Sequence, residues 1–464
     1  MNILIIVLAL SFLIFIAYRG FSVILFAPIA AALAVLLTSP RILLPVYSGI
    51  FMERMAAFIK LYFPIFLLGA IFGKVIEVSG FARSIILLVV DVVGANRAIF
   101  AIVLVCAILT YGGVSLFVVA FAVYPFGAEM FRLASIPKRL LPATIALGGF
   151  TFTMDALPGS PQIQNIIPTT FFQTNTWAAP RLGIAGGVFV FLCGMAYLES
   201  QRAKARRHGE GYGESHRNEP SVTFNEKLPS PWLAVVPLLL VGILNRVFTA
   251  VLPALYGRSF DFASAGVSGV AELEIEKLFG IWAVEGALTV AILFVLATSF
   301  HTIRTSLHAP MNSALGGAML AALNTGSEYG FGGVIAVLPG FRMVSDFLSR
   351  TIHNPLVGAA FTTNVLAGIT GSASGGLSIA LAAMGQTYLQ NVRAAGISPE
   401  VLHRVTAMAS GGMDTLPHNG AVITLLTVTG LTHRESYRGI FAMTVIKTFA
   451  VAFVIAFYYL FKVY

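Results

Sequence analysis

The chain has 464 residues, of which 57% are hydrophobic and 11% charged, with a mean hydropathy of +0.87. Soluble domains carry about 25% charged residues, so these figures exclude an ordinary soluble enzyme and indicate an all-α polytopic membrane protein. The net charge of +9 fits basic cytoplasmic loops better than a nucleic-acid partner.

Apolar runs of about 20 residues, enough to cross ~30 Å of hydrocarbon, predict spans at 2–18, 21–38 and 54–79. The first run has no basic n-region and no small-residue cleavage site, so it reads as a span and not a leader. Ala82–Asn96, flanked by Arg83 and Arg97, is expected along the interface. Residues 98–131 are too long for one upright span and too short for two with a turn. A re-entrant hairpin with its tip at Gly112-Gly113 is expected there. A broken span near 140–160, an outer segment rich in Gln, Asn and Thr, and a span at 183–199 follow. Residues 200–230 hold Arg202, Lys204, Arg206, Arg207, His208 and Arg217 among Gly, Ser and Glu. They read as a flexible basic linker in the cytoplasm.

Beyond the linker, spans at 232–252 and 278–299 flank an acidic segment with Asp261, Glu272, Glu274 and Glu276. A long span ends near Gly340, and a second hairpin at 356–390 breaks at Gly371-Ser372-Ala373-Ser374-Gly375-Gly376. A broken span at 401–425 and a last span at 440–461 complete the chain. Cys106 and Cys193 lie in apolar runs, so neither a metal site nor a disulfide is expected. No phosphate-binding glycine loop is present, and no nucleotide or other cofactor is expected.

Landmarks recur in order. Phe72-Gly73, Gly80-Phe81, Gly112-Gly113, Gly148-Gly149 and Asp155 match Phe331-Gly332, Gly340-Phe341, Gly375-Gly376, Gly411-Gly412 and Asp414 at offsets of 259 to 263. This predicts two repeats, 1–199 and 231–464, joined by the 200–230 linker. With the linker inside, the N-terminus falls outside, the first hairpin opens inwards and the second outwards. The halves are then inverted, each with about five spans and one hairpin. Arg41, Arg54, Arg350 and Arg393 fall on the disfavoured side of this scheme.

Met154-Asp155-Ala156-Leu157-Pro158 and Met413-Asp414-Thr415-Leu416-Pro417 each set a carboxylate three residues before a helix-breaking proline. Backbone freed at such breaks is tolerated only inside protein or beside a cavity, where half-helix N-termini can receive an anion. Candidate substrate ligands are Gly112, Gly113, Ser115, Pro158, Gly159, Ser160, Ser372, Ser374, Gly375, His418 and Asn419. Glycine and serine also serve plain close packing of helices. Asp155, Asp414 and Glu328 are candidate proton carriers; each aspartate could instead cap the half-helix beyond its break. The expected function is proton-coupled uptake of a small organic acid, with sodium the rival coupling ion. From other classes come a passive anion channel and an intramembrane aspartyl protease using the two aspartates as a dyad.

The stretches LGAIFGKVIEVSG at 68–80 and ITGSASGG at 369–376, with the Pro-rich break at 158–161, resemble the gluconate:proton symporter family of the ion-transporter superfamily. The resemblance covers essentially the full chain in order and spacing. It implies a homodimeric, elevator-like carrier in the bacterial inner membrane that takes up a small carboxylate with protons. Members of that family have Pro-Pro-His-Pro-Gly-Pro at the first break, where this chain has Ala156-Leu157-Pro158-Gly159-Ser160-Pro161. A short hydroxy acid such as 3-hydroxybutyrate therefore stands beside gluconate as substrate.

Overall fold

The computed structural model describes residues 2–18, 22–94, 97–213, 218–219, 228–269, 271–276, 278–304, 308–341, 343, 351–417 and 419–464. Arg217, Arg350 and His418 lie outside the described residues. Among the described residues the fold is all-α apart from one short antiparallel ribbon, Ser259–Phe260 with Leu273–Glu274, in the acidic segment.

The first half comprises α1 (Asn2–Tyr18), α2 (Val23–Thr38), α3 (Glu53–Val78), α4 (Phe81–Val93), α5 (Ala98–Tyr111), α6 (Leu116–Leu133), α7 (Leu141–Gly149), α8 (Ile163–Phe172) and α9 (Pro180–Arg207). The second comprises α10 (Pro231–Tyr256), α11 (Phe279–Ile303), α12 (His308–Val337), α13 (Pro355–Thr370), α14 (Ala373–Ala394), α15 (Pro399–Gly411), α16 (Gly420–Thr429) and α17 (His433–Phe461). Five helical stretches among the described residues are long and apolar enough to cross a membrane: Pro40–Val78, Pro180–Arg207, Pro231–Tyr256, Phe279–Ile303 and His433–Phe461. Exposed leucines, isoleucines and phenylalanines on α1, α2, α9, α10, α11 and α17 give the molecule the apolar exterior that lipid requires.

Helix boundaries follow local chemistry. Ser372, Ser398 and Asn419 cap α14, α15 and α16 by accepting from Gly375 N, Glu400 N and Ala421 N. Thr432 and Glu435 form a capping box on α17. Both hairpins turn where glycine permits a positive φ, at Gly113 (98°) and at Gly371 (64°). The second tip is therefore Gly371-Ser372; Gly375 and Gly376 already lie in the first turn of α14. Gly112 corresponds to Gly371 at the offset of 259 that also relates Asp155 to Asp414.

Packing pairs equivalent helices. α3 lies along α12, α9 along α17, and α1–α2 is matched by α10–α11. α2 packs on α12 as α11 packs on α3; α6 packs on α16 as α14 packs on α8. Every residue of α7 is buried, as is α15 from Val401 to Gly411, so these two helices are the centre of the bundle. The two enter from opposite ends. α7 starts beside α17 and the linker, where Ser436 Oγ donates to Arg139 O (2.8 Å) and Arg139 pairs with Glu210. α15 starts beside the first turn of α9, where Ala179 N donates to Glu400 Oε2 (3.1 Å). α9 then runs 28 residues to the linker end, about 42 Å at 1.5 Å per residue.

Two expectations need correcting. The polar stretch after the first break is not an outer segment. It is helix α8, and its Gln164, Asn165 and Thr169 are buried; their polar side chains bond inwards, so polarity did not mean exposure. Nor is the start of the linker loose. α9 continues to Arg207, and Lys138 and Arg139 pair with Glu219 and Glu210. Tyr124 and Asn218 add bonds to Asn218 O and Thr427 O.

Candidate substrate and ion site

The two breaks and the two hairpin tips form one continuous polar region. At the first tip, Gln162 Nε2 donates to Thr110 O (2.7 Å) and Val114 O (3.3 Å), and Tyr111 Oη donates to Pro158 O (2.8 Å). At the second, Asp414 Oδ1 accepts from Ala373 N (3.0 Å) and Asn419 Nδ2 (3.1 Å), and Asn419 Nδ2 also donates to Gly371 O (2.8 Å). Gln164 joins them by donating to Asp414 Oδ2 (2.9 Å). Gln162 and Gln164 sit at the start of α8, so one helix start holds both tips.

Four helix N-termini meet in this region. α6 starts after Ser115, α8 after Gln162, α14 after Ser372 and α16 after Asn419. Their dipoles favour negative charge.

Charged side chains cross beneath. Lys447 of α17 forms an ion pair and hydrogen bond with Asp155, and both are fully buried. Gly411 is the residue that allows this, because a Cβ there would overlap Asp155 Oδ2. Arg404 of α15, also fully buried, donates to Asp155 O, Asn165 Oδ1 and Ala178 O (each 2.8 Å) and to Thr176 O (3.4 Å). His403 sits 2.7 Å from Thr174 Oγ1 and 3.2 Å from Asn165 Oδ1. From α10, Asn245 Nδ2 donates to Gly159 O (3.0 Å).

The expected residues thus fall into two linked clusters. Gly112, Gly113, Ser115, Pro158, Gly159 and Ser160 belong to the first tip and break. Much of their polarity is spent internally: Ser115 Oγ accepts from Val118 N (3.4 Å), Ser160 Oγ donates to Thr153 O (2.6 Å), and Gly159 N donates to Thr176 O (2.9 Å). Gly112 and Gly113 make room for Leu238 of α10 and Leu288 of α11. Ser372, Ser374, Gly375, Asn419, Asp414 and Glu328 belong to the second, where Ser372 and Ser374 lie 3.4 Å apart. Asp414 does not cap its own half-helix, a task done by Asn419; it anchors the first amide of α14. Asp155 and Asp414 keep separate partners and share no hydrogen bond, which is not the arrangement of an aspartyl dyad.

Sequence reading passed over Arg404, Lys447, His403, Asn165, Gln164 and Asn245. The signal was present in two of them, since a lysine or arginine inside an apolar span is costly and must be paired.

A cleft of about 440 Å³ lies away from this centre, between α6, α16 and Asn218, and is mainly apolar.

No protein-family profile matches the chain. Among solved structures it is similar to the Alcanivorax borkumensis YdaH transporter, described as having an unusual topology. The TM-score is 0.48 at 15% identity over 87% of this chain and 85% of that one, a likeness too slight to bear on the fold. Among curated proteins, the uncharacterised transporter YxjC of Bacillus subtilis strain 168 is 59% identical over 466 residues, spanning 99% of each chain. At that identity along its whole length, the protein belongs to the transporter family of YxjC.

Proposed function

We propose that the protein is a proton-coupled secondary transporter for a small organic acid anion, either a sugar acid like gluconate or a short hydroxycarboxylate like 3-hydroxybutyrate. The observation that carries this reading is the meeting of four helix N-termini at two breaks entered from opposite ends. Such a place favours a carboxylate, and opposed halves supply alternating access. The resemblance to gluconate:proton symporters supports the substrate class and the coupling ion. The ligands are drawn from Ser115, Ser372, Ser374, Asn419 and the amides beside Gly112, Gly113, Gly159 and Gly375. Asp155 and Arg404 hold the breaks in place.

In this reading the repeats are inverted, and α5–α9 with α13–α17 slide against a frame built of α2, α3, α10, α11 and α12. The carrier sits as a homodimer in the bacterial cytoplasmic membrane. Uptake of labelled gluconate and 3-hydroxybutyrate into proteoliposomes, under an imposed pH gradient and then a sodium gradient at fixed pH, tests it. Accumulation with the pH gradient alone is expected; accumulation only with sodium, or flux that never exceeds equilibrium, refutes it.

A further inference from the structure

A third buried carboxylate behaves unlike the two aspartates. Glu328 of α12 is 4% exposed, and among the described residues no donor or cation pairs with it. Its carboxylate lies against Gly375 in the first turn of α14, where a Cβ would overlap Oε2. Further along, Gly332 faces Ile379, so α12 and α14 run side by side in the same direction. One turn back on the same face of α12 is Asn324. Asn324 Oδ1 is buried and has no hydrogen-bond partner.

With an ionised carboxylate, this seam would bury a charge to which no donor or cation is bonded, which is costly in a protein interior. One proton removes that charge and makes Glu328 a donor, one helical turn from the unpaired Asn324 Oδ1. The equivalent seam of the first half has no such group. There Gly73 faces Ser115 N and Val118 as Gly332 faces Ile379, and the position matching Glu328 is Gly69, with nothing near it. The titratable groups facing α12 from α3 are Arg54, which packs on Gly333, and Tyr62, below Tyr329. α2 carries none, and Tyr388 and Arg393 lie towards the far end of α14. None of these bonds Glu328.

We propose that Glu328 carries the coupling proton, binding it at the seam between α12 and the second hairpin and exchanging it with water when that seam moves. The proposal rests on the proton-coupled reading above and assigns its ion site. Difference infrared spectroscopy of the reconstituted protein, stepped in pH, reads the site without any substrate. Wild type is expected to show the C=O band of a buried carboxylic acid that bleaches as pH rises. Glu328→Gln should lack it, whereas Asp414→Asn should keep it. A band that survives in Glu328→Gln, is absent from wild type, or is removed by sodium at fixed pH overturns the assignment. In proteoliposomes given gluconate or 3-hydroxybutyrate, wild type should accumulate about tenfold for each pH unit and coupled proton. Glu328→Gln should lose that accumulation yet still exchange internal for external substrate. Accumulation by Glu328→Gln equal to wild type refutes the proposal. A wild-type band without pH-driven uptake keeps the site and removes the transport reading. If Glu328→Gln does not fold, Glu328→Asp serves: its band should persist with a displaced midpoint, and an unchanged midpoint counts against the site.

Discussion

Lys447 and Asp155 are a buried ion pair in the middle of a bundle, 292 residues apart in sequence. Removing one partner of such a pair strands the other, at a cost of about 3–5 kcal/mol. Lys447→Met is therefore expected to lower the melting temperature in detergent sharply, and adding Asp155→Asn should recover much of the loss. A double variant no more stable than the single would show that the pair is not what the lysine serves. Gly411→Ala should be damaging by the same logic, because its methyl group would displace the Asp155 carboxylate. Asp155 and Asp414 stood out in the sequence because each precedes a proline in an apolar run. Their partners did not, since pairing is a tertiary fact; the spacing of 154–158 says nothing about a lysine on the last helix. Lys447 and Arg404 themselves were visible as intramembrane cations.

At the scale of elements, breaks, hairpins and caps were readable because glycine, proline and capping residues act locally. The second break was read as the run 371–376, with Gly375-Gly376 matched to the first tip; Gly371 has the positive φ, and Gly375 yields space to Glu328. Helix α8 was missed because its Gln, Asn and Thr suggest a loop unless their buried partners are known.

The linker attachment has a pH dependence of definite sign. Hydrogen bonds from Arg139 hold the Glu210 carboxyl below its ordinary value. A lowered folded value means the bond's full contribution exists above the ordinary glutamate range and fades as pH falls through the lowered value. Both side chains are well exposed, so that contribution is at most about 1 kcal/mol. Limited proteolysis near residues 208–213 should accelerate as pH falls through that window, and Arg139→Gln should remove the acceleration. Equal pH profiles in both proteins would contradict this.

At the scale of the molecule, opposite entry of α7 and α15 sets the ends of the bundle. Single cysteines at Gly211 and Ser264, introduced after replacing Cys106 and Cys193, should react with a membrane-impermeant reagent from opposite faces, Gly211 from the cytoplasm. Labelling from one face would break the inverted arrangement. In the proposed sliding arrangement, bonds between frame and core include Tyr62 Oη to Ile167 O and Thr170 Oγ1 (each 3.1 Å) and Asn245 Nδ2 to Gly159 O (3.0 Å) and Thr176 Oγ1 (3.1 Å). Tyr62→Phe with Asn245→Ala should speed exchange at least several-fold, since each net hydrogen bond lost is worth ~1 kcal/mol. An unchanged or slower rate would place the barrier elsewhere.

Gln162 and Gln164, two residues apart, hold different hairpins, Gln162 directly and Gln164 through Asp414. Two doors fastened to one hinge post cannot swing independently. In the proposed carrier, the shared start of α8 therefore ties the displacement of one tip to that of the other. Cutting that tie, with Gln164→Leu, should turn a tight carrier into a leaky one.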